Sequence, residues 1–165
     1  MRFLRLYWLP ISLFAFEVFA AGQGVIAGII ILVIFIWFIP KALFSLLIKN
    51  KEKAKKYALR SAVYFLTVAA MIFGLYLNNQ LAEQRSKIVI AALDNYKAQN
   101  GRFPDKLEEL VPKFLPKIPL AKINAYGSFR YYVFAEDRHT LMYVVVPPFG
   151  RKLYNLEKKS WSQLD

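Results

Sequence analysis

The sequence predicts an α+β membrane protein, with transmembrane helices first and then a long helix packed on a three-stranded antiparallel sheet. Three observations carry that prediction. Residues 3–48 are almost uninterrupted apolar text, and a second apolar run, 61–77, follows a short and intensely basic stretch. After Asn78 the composition becomes that of a small globular domain, closing on runs rich in aromatic and β-branched residues. A hydrophobic content of 57% is too high for a soluble chain of 165 residues.

The apolar stretch 6–39 is longer than one upright crossing, which takes about 20 residues at ~1.5 Å each. Ala20-Ala21-Gly22-Gln23-Gly24 breaks it, two glycines flanking a polar amide. The expected spans are therefore 3–20, 25–48 and 57–78. The pair Ala20-Ala21 also suits a signal-peptide cleavage site, but Pro10, Glu17 and the immediately following span argue against one. Glu17 is a carboxylate within the lipid zone, either a functional intramembrane acid or a residue of the outer interface.

Charge sets the orientation. Lys49, Lys51, Lys53, Lys55, Lys56 and Arg60 make a cluster interrupted only by Glu52. Such a cluster beside a span marks the cytoplasmic side, a better account of it than nucleic-acid binding. With three spans, Arg2 and Arg5 fall on that side too; with two they fall outside. Either count places 79–165 outside the cytoplasm. The organisation is thus 1–56 membrane region with a basic loop, 57–78 last span, and 79–165 external domain.

From Tyr57 to Gln99 there is no proline, which predicts one helix of about 40 residues, apolar all round at first and amphipathic after Leu77. Leu81, Ile88, Ala92 and Tyr96 are its expected sheet-facing stripe, and Asn100-Gly101 its left-handed stop. Pro104 opens a short helix through Leu107 and Leu110, and Pro112, Pro116 and Pro119 impose an extended connector. Strands follow at 129–135, 140–146 and 152–161, separated by Glu136-Asp137-Arg138 and by Pro147-Pro148-Phe149-Gly150. Hairpin succession makes a meander, and the helix stripe is the available cover for one face.

This order resembles the type IV pilin and type II secretion pseudopilin superfamily across residues 57–161. The local text that carries the resemblance is Tyr96-Lys97-Ala98-Gln99-Asn100-Gly101-Arg102-Phe103-Pro104, then Leu107, Leu110, Val111-Pro112, Phe114-Leu115 and Ile118-Pro119. The chain departs from the family in having no prepilin Gly–Glu processing motif ahead of the third span and no acidic pair after Pro119. The resemblance implies a pilin-like fold that stays in a bacterial inner membrane, with its domain in the periplasm and a pilus or secretion component as partner.

The chain has no cysteine, which removes disulfides, thiolate metal sites and a cysteine nucleophile. His139 is expected in an exposed turn, and the acids Glu108-Glu109 and Glu136-Asp137 are sequence neighbours that point apart or into solvent. No phosphate loop or metal cluster is present in the sequence, so the expectation is a protein without catalytic residues, metal or cofactor. Binding remains. Beyond the lipid bilayer, the partner is another protein, met through aromatics left outside the core; Tyr126, Tyr131, Phe149 and Trp161 are the candidates. A membrane-anchored immunity protein that binds a toxin acting in the periplasm fits the same features. Oligomeric state is open.

Overall fold

The computed structural model describes residues 8, 12, 15, 24–124, 127–135, 138–146 and 150–164. Most of the span 3–20, including Glu17, lies outside the described residues. The chain divides into two compact units, Met1–Tyr76 and Leu77–Asp165.

In the first unit, helix α1 (Gly24–Val33) passes through a π turn, Ile34–Phe38, into α2 (Ile39–Leu47). Pro40 explains the widened turn: it has no N–H for the carbonyl four residues back, and its ring crowds that carbonyl. Lys49, at φ 57°, reverses the chain, and α3 (Lys51–Asn100) begins at once. Asn50 caps it, its Oδ1 accepting the Lys53 N–H at 3.1 Å. The basic stretch expected as a loop is therefore mostly the first turns of a 50-residue helix, six residues longer at its start than expected. Among the described residues, α3 is the one helix long and apolar enough to cross a membrane. In this unit Phe38 stacks on Tyr64, with ring centroids 5.5 Å apart.

The second unit is α+β. Gly101, at φ 78°, stops α3 as expected and donates its N–H to the Lys97 carbonyl at 2.8 Å. A 3-10 turn, Leu107–Leu110, follows. Glu109 fixes it: Oε1 accepts the N–H groups of Asp105 and Lys106, and Oε2 accepts the Tyr96 hydroxyl at 2.6 Å. The Tyr96 hydrogen bond in turn holds the Glu109 carboxyl below its ordinary range. The proline-rich connector is moored to α3 at two further points. Arg85 donates to the Leu120 carbonyl at 2.7 Å, and Asn78 accepts the Ile123 N–H at 2.9 Å.

The sheet has four strands in sequence order, all antiparallel: β1 (Arg130–Ala135), β2 (Arg138–Val144), β3 (Arg151–Asn155) and β4 (Ser160–Leu164). Three were expected. The run 152–161 reads as one strand, but Asn155 Oδ1 accepts the Lys158 N–H at 2.6 Å and Lys159 turns left-handed at φ 49°, so the chain folds back on itself. Helix and sheet share one core: Ala82, Val89, Ala92 and Leu93 cluster with Phe129, Leu141, Tyr143 and Leu156.

The helix stripe is rotated from its expected position. Ala92 is buried and Tyr96 packs on the core, while Leu81 is half-buried. Ile88 is 54% exposed and takes no part, its place taken by its fully buried neighbour Val89. Ala82, Ser86, Val89 and Leu93 keep the helical spacing; small Ala82 and Ser86 allow close approach, which a search for large apolar residues passes over.

Candidate partner-binding surface

Pairing register sorts the strand residues onto two faces. Tyr131, Leu141, Tyr154 and Trp161 stand in one cross-strand row, and Arg130, Met142, Leu153 and Ser162 in the next. Side chains in adjacent rows point to opposite faces. The first row belongs to the face carrying the core residues Leu141 and Tyr143, beside α3. Lys152, on that face, lies 3.6 Å from Glu83 of α3.

The expected partner residues do not form one surface. Tyr126 and Phe149 lie outside the described residues. Tyr131 is turned inward: its hydroxyl donates to the Pro104 carbonyl at 2.9 Å, its ring stacks on His139, and burial raises its pKa well above that of a free tyrosine. Trp161, 37% exposed, lies on the helix side against Tyr154 and Tyr143, at centroid distances of 5.0 and 5.8 Å. The parity of the strands accounts for this, since Phe129 and Tyr131 must face the core together.

The opposite face is the one left open. Tyr132 and Phe134 stack there at 5.8 Å, with the Arg138 guanidinium over the Phe134 ring at 5.1 Å. Phe134 is the extra residue of a bulge between Val133 and Ala135, and is 57% exposed. Leu153 and Leu164 continue the apolar surface around buried Met142, and Leu164 is exposed. Arg130, Arg138 and Arg151 are all exposed, and among its described residues this face carries no carboxylate. The alternation Arg130-Tyr131-Tyr132-Val133-Phe134 contained the signal, but it shows which half is outward only once the core half is known.

Two polar groups are held in the interior. His139 was expected in an exposed turn; it is a buried residue of β2, because the strand already begins at Arg138. Its imidazole meets Glu157, with the Phe103 ring at 5.1 Å. Lys122 is 1% exposed, and its Nζ donates to the Val145 carbonyl at 2.6 Å. Burial lowers its pKa to about 8. Its backbone is fixed by the 3.1 Å bond from its N–H to the Gly127 carbonyl, and a side chain at Gly127 would overlap the Lys122 carbonyl oxygen. Among the described residues no group of three metal-ligating side chains comes together. No protein-family model, curated protein or solved structure matches the chain.

Proposed function

We propose that this is a non-enzymatic bacterial inner-membrane protein whose periplasmic, pilin-like domain binds another protein, as an accessory of a type IV pilus or type II secretion assembly. The observation that supports this best is the open sheet face. Apolar and aromatic side chains ringed by arginines, with no carboxylate among the described residues of the face, suit a partner surface that is apolar at its centre and acidic at its rim. Arginine is well matched to that task, since its planar fork meets carboxylates two bonds at a time. The pilin-like reading draws on a long helix that ends at Asn100-Gly101 and shares its core with an antiparallel meander. Membrane residence draws on the apolar length of α3.

The test is co-purification in mild detergent. The wild-type chain and the double variant Phe134→Ser/Arg138→Glu are compared. The proposal expects a pilus or secretion component with the wild type and its loss in the variant. Recovery of the same partner by both chains removes this face from the reading, and a secreted toxin as the partner replaces the accessory role with an immunity role.

A further inference from the structure

The first turns of α3 carry a charge distribution that the fold itself does not use. Lys51, Lys53, Lys55 and Lys56 are exposed and Arg60 is half-exposed, with Glu52 the sole acid among them. Successive helix positions turn by ~100°, so from Lys51 through Lys55, Lys56 and Arg60 to Lys53 the cations sweep about 200° of the circumference. Buried Ala54 occupies the remaining arc. A partner helix or a groove is met by one narrow stripe; so wide a sweep suits a layer that surrounds the helix.

The neighbouring sequence says which layer. Immediately beyond Arg60 the exposed side chains become hydrocarbon: Phe65, Leu66, Ile72 and Phe73. Lys51 lies ~14 Å along the axis from Arg60. The flexible stems of these side chains and a screening length of ~8–10 Å bring all five charges within reach of a phosphate plane at the end of the apolar run. The charges also oppose the helix dipole, whose positive end lies at this terminus, so the arrangement gains from an external anion.

We propose that Lys51, Lys53, Lys55, Lys56 and Arg60 form a binding collar for the phosphate headgroups of anionic phospholipids. This rests on the reading of α3 as membrane-spanning. The ligand chemistry is a phosphate mono-anion carried on acyl chains, and several headgroups bind side by side around the helix.

The full chain in detergent micelles, where orientation plays no part, is offered equal amounts of phosphatidylglycerol and phosphatidylcholine, and retained lipid is read by native mass spectrometry. The wild type should retain phosphatidylglycerol preferentially. Exchanging all five cations for glutamine should reduce that preference about tenfold or more, since each basic residue near a headgroup layer contributes roughly fivefold. Exchanging all five for the other cation, lysine for arginine and arginine for lysine, should keep it. So should a control in which Lys97, Lys106, Lys113, Lys158 and Lys159 become glutamine, and circular dichroism confirms equal helicity throughout. Equal preference in the collar and control variants overturns the proposal. So does competition by inorganic phosphate at the lipid's own concentration, or capture of a short DNA duplex by the same five residues in place of lipid. Alkaline carbonate extraction of native membranes is run beside it. Release of the chain there refutes the membrane reading itself, whereas retention without lipid preference refutes the collar alone.

Discussion

The Nδ1 of His139 lies 2.6 Å from Oε1 of Glu157, and both oxygens of that carboxylate accept the His139 backbone N–H at 3.1 Å. An ionised carboxylate only accepts, so the imidazole hydrogen is on Nδ1. The Leu156 N–H returns a bond to the His139 carbonyl at 3.1 Å. The β3–β4 turn is thereby fastened to the start of β2, beneath the rings of Phe103 and Tyr131.

Partial burial pushes the Glu157 carboxyl upward, but the hydrogen bonds from His139 outweigh it and the net displacement is below the ordinary glutamate value. A carboxyl depressed on folding contributes stability that is present above its unfolded value and lost as pH falls through the folded one. Glu157→Gln should therefore cost about 1.5–3 kcal/mol at neutral pH. The gap from wild type should close as pH is lowered from about 5 toward 3. Urea midpoints of the unit starting at Leu77 measure it; a gap that does not change with pH assigns the effect to shape and not to charge.

Lys122 gives a slope of the same sign in a higher pH window. Its amine titrates near 8 when folded, against 10.5 for a free lysine, so between those values the unfolded chain holds more protons and stability rises with pH. The gain should reach about 2 kcal/mol by pH ~9.5, where free tyrosine is only beginning to ionise. The tyrosines act the other way, since burial lifts Tyr143 to about 12 and favours the unfolded state once free tyrosine ionises. Lys122→Met should abolish the rise and be at least as stable as wild type at pH 7, because a buried ammonium is replaced by an apolar thioether of similar length. A rise that survives in the variant refutes the assignment.

The rotated stripe makes a sharp comparison between neighbours. Val89→Asp places a charge where no water reaches and should cost upward of about 4 kcal/mol, enough to unfold a domain of ordinary stability. Ile88→Asp, one position around and in solvent, should stay within about 0.5 kcal/mol. Thermal unfolding of the same unit decides it, and similar losses at the two positions would show that the helix packs through another face.

Orientation is tested by fusion. If the proposed topology holds, with the cations of 49–60 on the cytoplasmic side, alkaline phosphatase placed after Asp165 should be active and a cytoplasmic reporter silent. That the cluster is helical does not alter the argument, which counts charges beside the apolar run and not their backbone conformation.

The sequence was legible where a single local rule decides. Asn100-Gly101 stops the helix as read, the proline-free run is one helix, and the antiparallel order follows from short turns. It was misread where two local rules compete. At 152–161 an alternating pattern hid an Asn-initiated turn, and at 88–89 two apolar neighbours left the stripe's phase to a fully buried serine, Ser86. His139 and Lys122 were hidden for another reason. Burial of a titratable group depends on a partner far along the chain, Glu157 for one and the Val145 carbonyl for the other. The open face shared that difficulty, since Tyr131 and Tyr132 are alike until the core claims one of them.

The strand order has a kinetic consequence. Every hydrogen-bonded pair in the sheet joins sequence neighbours, so each pairing closes a loop of only a few residues. Such a meander can zip up hairpin by hairpin, with β4 free to add last. The distant closures bring the connector and the sheet onto α3, among them the arrival of Leu141 and Tyr143 against Val89 and Leu93, across about fifty residues of intervening chain. Folding speed should accordingly be governed by that helix–sheet encounter, and substitutions in the β3–β4 hairpin should hasten unfolding while leaving the folding rate almost untouched.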